Sequence, residues 1–262
     1  MKFAILSRMA SWSTRRKASY LIVIFGIVFL LLIMPLFFAF YNRPTCFDGK
    51  KNGDEKGVDC GGTCQLLCVS EAVDPHILWS RAFKTTPNIY SAVAYFENRN
   101  INSEAMAPYI FRIYNKNNVL IAEREGITFI PKNKIIAIFE PNIEIKEQVP
   151  YRATFDFKEQ LAWRKNPKQD PNITVVNKSL TNADTKPRID ATIKNESLLP
   201  ISNIEAVAIV YDNRENAIAA SRTFIDRLEK DESAMVTFTW PSPFPAEGAI
   251  IEIISRMIPA NL

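Results

Sequence analysis

Twenty consecutive residues, 21–40, read LIVIFGIVFLLLIMPLFFAF, without a charge or a hydrogen-bonding side chain among them. Few environments accept such a run. At roughly 1.5 Å per residue a helix of that length spans about 30 Å, the hydrocarbon thickness of a bilayer. Gly26 and Pro35 fall within it and are tolerated in membrane helices; Tyr20 and Tyr41 flank it where interfacial aromatics are favoured. A core helix of a globular domain would keep a polar face, and this run has none. A cleaved signal core would be shorter, about 7–15 residues, and followed by a small-x-small site, which is missing. The expectation is an uncleaved anchor over residues 20–41, with the lipid bilayer as its partner.

Charge sets the expected orientation. Lys2, Arg8, Arg15, Arg16 and Lys17 precede the run with no acid among the first twenty residues, whereas Arg43, Lys50 and Lys51 beyond it are offset by Asp48 and Asp54. Positive residues favour the cytoplasmic side, so residues 1–19 are expected as a cytoplasmic tail and everything after residue 41 outside. The chain carries 32 basic and 28 acidic residues, a net charge of +4. Five of those cations lie in the tail, and the remaining 27 against 28 acids leave the outer part near neutral. The basic balance belongs to the anchor and gives no reason to expect a nucleic-acid partner.

Residues 46–68, CFDGKKNGDEKGVDCGGTCQLLC, hold all four cysteines and five of the eight glycines. Outside the cytoplasm, clustered cysteines read as disulfides, so Cys46, Cys60, Cys64 and Cys68 are expected to form two, in any of three pairings. The alternative is a zinc site, but gaps of thirteen, three and three residues lack the usual paired hooks. A redox centre needs a Cys-x-x-Cys pair, and that spacing is missing too. Calcium is a further alternative: Asp48, Asn52, Asp54 and Asp59, with Glu55, set oxygens among glycines, as a calcium loop requires. Their spacing is not that of an EF-hand. Asn, Asp and Gly also simply make turns, and no cofactor is needed for that.

The stretch resembles a short cysteine-rich motif, C-x-D-G-x-x-N-G-D-E-x-G-V-D-C-G-G-x-C, of bacterial and archaeal secreted and surface proteins, found beside β-sandwich modules. The match runs from Cys46 to Cys64 and departs where three residues rather than two separate Cys64 from Cys68. The resemblance implies a disulfide-bonded element outside the cytoplasm, spanning residues 42–70, and no catalytic activity.

The remainder is self-similar. Asn98 and Asn195, like Tyr114 and Tyr211, stand 97 residues apart, within the matching stretches 93–125 and 190–223. Both copies read as strands. In residues 234–240 Ala234, Val236, Phe238 and Trp240 alternate with Met235, Thr237 and Thr239, the period of a half-buried strand. Asn- and Asp-rich YNKNN and YDNREN join apolar runs as hairpin loops do. A polar, Pro-containing linker over 163–172 is expected between the copies. Each copy has the length and strand count for a core of its own and is expected to fold alone.

Phe111, Ile113, Tyr114 and Asn115, and more loosely Ala208, Val210, Tyr211 and Asp212, each after a strand ending in Asn98 or Asn195, resemble FxLYD-type domains and related immunoglobulin-like sandwiches. That resemblance implies surface modules without catalytic machinery. The expected fold is an all-β ectodomain of two tandem immunoglobulin-like β-sandwiches, residues 76–162 and 170–262, behind one N-terminal transmembrane α-helix.

Catalytic patterns are absent from the sequence. His76 is the single histidine, and no G-x-S-x-G, Walker, Rossmann or H-E-x-x-H pattern occurs. The expected function is a single-pass, membrane-anchored envelope protein presenting interaction modules to an envelope protein or cell-wall partner. The alternatives are a glycan- or ligand-binding surface receptor and a calcium-stabilised surface module. Of the tryptophans that a glycan face would use, Trp240 is expected in the core, Trp163 either in the open or packed as a linker residue between the two sandwiches, and Trp79 is a third candidate.

Overall fold

The computed structural model describes residues 12–36, 43–247 and 250–259. Helix α1 (Trp12–Val28) leads into a wider π-helical turn over Phe29–Ile33 and continues to Leu36. The most apolar 18-residue window within these 25 residues has a mean hydropathy of 2.7 and buries nothing against the rest of the chain, so the helix is long and apolar enough to cross a membrane. Pro35 cannot donate to a carbonyl one turn back and its ring crowds that position; the widened turn lies where that conflict falls. The helix is already formed at Trp12, ahead of the expected start at residue 20, and it carries Arg15, Arg16 and Lys17 on its opening turns. Lys2, Arg8, residues 37–40 and Tyr41 lie outside the described residues.

Beyond the helix the chain is mostly β, as expected. The first half carries β1 (His76–Thr86), β2 (Ile89–Asn98), β3 (Ser103–Tyr114), β4 (Leu120–Ile130), β5 (Lys134–Glu144), β6 (Arg152–Phe157) and the short β7 (Arg164–Lys165). The second carries β8 (Ile173–Thr181), β9 (Arg188–Asn195), β10 (Ile201–Tyr211), β11 (Ala217–Leu228), β12 (Ser233–Thr239) and β13 (Ile250–Met257). Sheet β1-β2-β5 faces β4-β3-β6, and sheet β8-β9-β12 faces β11-β10-β13, so a shift of seven strand numbers turns one half's order into the other's. Alternation fills the interiors. Ala92, Ala94 and Phe96 meet Phe111, Ile113 and Phe155 in the first core, while Ile189, Ala191 and Ile193 meet Ala206, Ala208 and Val210 in the second. Trp240 extends the Val236–Phe238 row, as its pattern predicts, and donates its indole N–H to the Ala220 carbonyl at 3.1 Å.

Two pairs of aligned residues do the same work in both halves. Asn98 and Asn195 end β2 and β9 and are fully buried. Asn98 Nδ2 donates to the Ser103 and Pro131 carbonyls at 3.1 and 2.8 Å, and its Oδ1 accepts from Asn100 N at 2.9 Å. Asn195 Nδ2 donates to the Leu199, Leu228 and Glu229 carbonyls at 2.9, 3.2 and 3.0 Å, and its Oδ1 accepts from Ser197 N at 2.8 Å. Each amide satisfies carbonyls at strand ends and in the adjoining loops.

The hairpins repeat as well. Asn115 Oδ1 accepts from the amides of Asn117 and Val119, and Asp212 Oδ1 from those of Arg214 and Asn216. Each turn places one residue in the left-handed region, Asn118 at φ 61° and Glu215 at φ 62°. Asparagine tolerates that region; glutamate does not. Glu215→Asn is therefore expected to stabilise the protein by about 0.5–1 kcal/mol, seen as a thermal midpoint about 1–4 °C higher. An unchanged or lower midpoint would show that the turn carries no strain.

A third apolar cluster joins the halves. Phe83, Val93, Ala137 and Phe139, on the outer face of β1-β2-β5, pack against Val207, Ile209, Ala217 and Ala220 of β10 and β11. The four sheets thus stack face to face, and residues 90–94 of β2 and 204–210 of β10 are buried on both faces. At two of the aligned positions the residue that does not meet the other half is polar. Val93 corresponds to Asp190, which bonds Arg188 at 2.8 Å and Thr237 at 2.6 Å. Ile209 corresponds to Arg112, paired with Glu123 and Asp156 at 3.1 Å each. The two copies differ where one faces its neighbour and the other faces water. Folding of residues 170–262 alone would leave this apolar face of β10 and β11 uncovered.

The expected polar linker over 163–172 is tied down. Trp163 is 2% exposed within the first core, and β7 pairs with Ser103 and Glu104 of β3, which carries the first half past residue 162. Lys132 donates to the Asn166 carbonyl at 2.9 Å and, with Lys134, faces Asp170 at 3.6 and 3.8 Å. Polarity marked these residues as surface, but backbone pairing and one large indole hold them in place.

Candidate functional site

The cysteine stretch folds as a disulfide module. Cys46 bonds Cys64 and Cys60 bonds Cys68, so the two bridges interlace and no cysteine is free. The thiolates that a zinc or redox site would use are consumed. Closing loops of 18 and 8 residues restricts the unfolded chain, worth about 2–3 kcal/mol for each bridge. Gly62, at φ 54°, passes so close to the Asp54 carbonyl that a Cβ there would overlap it.

The acidic residues of this module act on its turns. Asp59 accepts the amides of Asp48 and Gly49 at 2.9 Å each, closing the loop across ten and more residues. Asp48 accepts from Lys50 N at 3.0 Å and from Asn52 Nδ2 at 2.8 Å. The Asn52 bond, first among several, holds the Asp48 carboxyl below its ordinary range. Asn52 Oδ1 is shielded without a hydrogen bond, and Asp54 lies exposed. Among the described residues, the acidic and sulfur atoms that converge are those of Cys46, Glu55 and Cys64, and both sulfurs belong to one disulfide. Asp48, Asp54 and Asp59 form no such group.

The module is docked on the first half. Leu67 N donates to the Trp163 carbonyl at 2.8 Å, Lys165 N to the Gln65 carbonyl at 2.7 Å, and Lys165 Nζ to the Gly62 carbonyl at 2.7 Å. The Asn100 side chain clamps Val73, donating to its carbonyl at 2.7 Å and accepting from its amide at 2.9 Å. β7 is thus gripped by β3 on one side and by the cysteine module on the other.

The junction between the halves carries polar groups of which the sequence marked Tyr211, and that for its place in the repeat. Glu205, 4% exposed, is held by Arg256 at 2.6 Å and by Arg222 at 3.2 Å. Those guanidiniums also donate to the Phe129 and Phe139 carbonyls of the first half. The Glu252 carboxylate accepts from Tyr95 of one half and Tyr211 of the other, both at 2.8 Å. Burial first, then that carboxylate, pushes both phenols well above their ordinary range, so they remain donors. Trp79 stacks on Tyr95 at 5.2 Å and meets Tyr211 edge-on at 6.4 Å. The available sequence signal was the run at 206–210, apolar without alternation, which marks a strand covered on both faces.

Beside this junction opens a cleft of about 790 Å³, formed by β1, the start of β6, the start of β11 and Pro245. Arg81, Lys84 and Arg152 line it, and among the described residues no carboxylate does. Arg81 donates to the Ala217 carbonyl at 3.1 Å, and Arg152 donates to Asn118 Oδ1 at 2.6 Å beneath a guanidinium–ring contact with Tyr114 at 4.6 Å. Exposed Val149 and Tyr151 form one rim, and a second hollow of about 330 Å³ continues past Lys84 toward Pro243. His76, by contrast, is exposed at the start of β1 opposite Glu97.

No family model matches the chain, and no curated protein does. Among solved structures, red sea bream transglutaminase is similar over 72% of this chain and 32% of that one, at 8% identity and a TM-score of 0.23. That likeness is too slight to bear on fold or activity.

Proposed function

We propose that this chain is a single-pass, membrane-anchored envelope protein that holds its two β halves outside the cytoplasm as one rigid, non-catalytic interaction module for an envelope or cell-wall partner. The apolar helix and the disulfide-bonded β domain suit that placement. The observation that carries the reading is an unbroken series of fixed contacts, from the disulfide module through Trp163 and β7 to the stacked sheets. Such a series transmits position: it fixes the two β halves relative to each other and to the cysteine module. Burial of Trp163 removes the exposed indole on which the glycan-receptor alternative rested. Protease added to intact cells or spheroplasts is expected to digest residues 43–262 while the N-terminal tail stays protected. Protection of the β domain with digestion of the tail would reverse the orientation and overturn the reading.

A further inference from the structure

Among the described residues strand β1 ends its sheet, pairing with β2 alone, so its other edge has no partner strand there. Near Ser80 that edge is covered, because the hydroxyl donates to the Ala153 carbonyl at 2.8 Å. From Arg81 to Lys84 it faces the cleft, and five consecutive residues, 80–84, line it, so the cleft follows the strand rather than crossing it. Two facts point to what lies alongside. Arg81, Lys84 and Arg152 surround the edge, and among the described residues none is ion-paired. Ala82, Phe83 and Ile218 add apolar surface to the cleft's lining. Unpaired backbone amides and carbonyls, cations without a carboxylate partner and apolar lining residues are the complement of an extended acidic peptide with apolar side chains between its carboxylates.

We propose that the edge of β1 binds an extended acidic peptide segment of a partner protein as an added strand, its carboxylates met by Arg81, Lys84 and Arg152 and its apolar side chains seated beside Phe83. This deepens the interaction-module reading and rests on it. Arg81 lies on one side of the β1 backbone and Lys84 on the other, so acids on either face of the incoming strand find a counter-charge. Lysine and arginine on an edge also discourage unwanted pairing, and an acidic strand is the kind they admit.

The test uses the full chain in nanodiscs, where binding is read whichever side of a cell membrane the domain occupies. The probe is a fluorescent alternating glutamate–valine peptide of about five residues, matched to the cleft-lining stretch at roughly 3.3 Å per residue. Saturable binding is expected, weaker by about tenfold in the exposed double variant Lys84→Glu/Arg152→Glu and retained in Lys84→Arg. Binding should also be lost when alternate peptide amides are N-methylated, which removes the ladder donors without touching charge. Each variant's melting curve is recorded beside it, so that a folding defect is not read as lost binding. Absence of binding would overturn the proposal and leave the cations as guards of the edge. Equal binding of the N-methylated peptide would overturn strand addition. Preference for a uronic-acid oligomer with the same charge dependence would assign the cleft to an anionic glycan instead. None of these outcomes bears on the protease mapping, so the two readings fail separately.

Discussion

Glu205→Ala is expected to cost about 3–5 kcal/mol of stability, because it strips the counter-charge from a buried guanidinium. Arg256 is 7% exposed and holds the Glu205 carboxylate through Nε at 2.8 Å and Nη2 at 2.6 Å. Arg222 is about one quarter exposed in its side chain, 26%, and can turn to water when its partner goes. Arg256 cannot. Both arginines also donate to carbonyls of the first half, so the loss should loosen the junction as well as the second half. Calorimetry of the parent is expected to show one transition for the β domain, and of Glu205→Ala two, with the second half melting first. An unchanged single transition would sink the idea that this pair couples the halves. The apolar double variant Glu205→Leu/Arg256→Met separates charge from shape, because replacing a whole buried pair by well-packed hydrophobes is often close to neutral. If it is as damaging as Glu205→Ala, packing rather than an orphaned charge is responsible.

Trp163→Ala should be comparably severe, about 3–5 kcal/mol, as large-to-small changes of buried aromatics are. The indole is 2% exposed and fills the first core, while the backbone on either side of it pairs with the cysteine module. The variant therefore carries a second signature. With β7 loosened, the Cys60–Cys68 bridge should be reduced faster by dithiothreitol, read by trapping the released thiols over time. Trp163→Phe keeps an aromatic ring in the core and should fall between. A Trp163→Ala protein that melts and reduces like the parent would mean that the module is held by its other contacts, those of Asn100 and Lys165, alone.

Tryptophan 163 shows why local reading stops where it does. Its neighbours Arg164, Lys165, Asn166 and Pro167 are those of an exposed linker, and composition assigns the whole stretch to the surface. What buries the indole is a gap in the first core, framed by strands far away in sequence, and no local pattern reports a gap. The same holds for Lys84 and Arg152. Each is an ordinary exposed cation on its own strand, and they line one cleft only because β1 and β6 lie side by side at the edge of the two sheets.

What the sequence determined by itself is whatever short-range physics controls. The apolar run that begins at Leu21 forms a helix, described to Leu36, long and apolar enough for a bilayer; period-two alternation in residues 234–240 fixes which side of β12 is buried; Asn115 and Asp212 make their own turns; four clustered cysteines are oxidised. The aligned Asn98 and Asn195 already marked equivalent places, although their shared task of capping loop carbonyls needed coordinates to be seen. Only the tertiary structure decided the cysteine pairing, the docking of the module on Trp163 and β7, and the stacking of one half's outer sheet on the other's. Those depend on which faces are left over after each half has buried its own core. That remainder is set by single differences between aligned positions, Val93 against Asp190 and Ile209 against Arg112, whose meaning appears only when the opposing surface is in place.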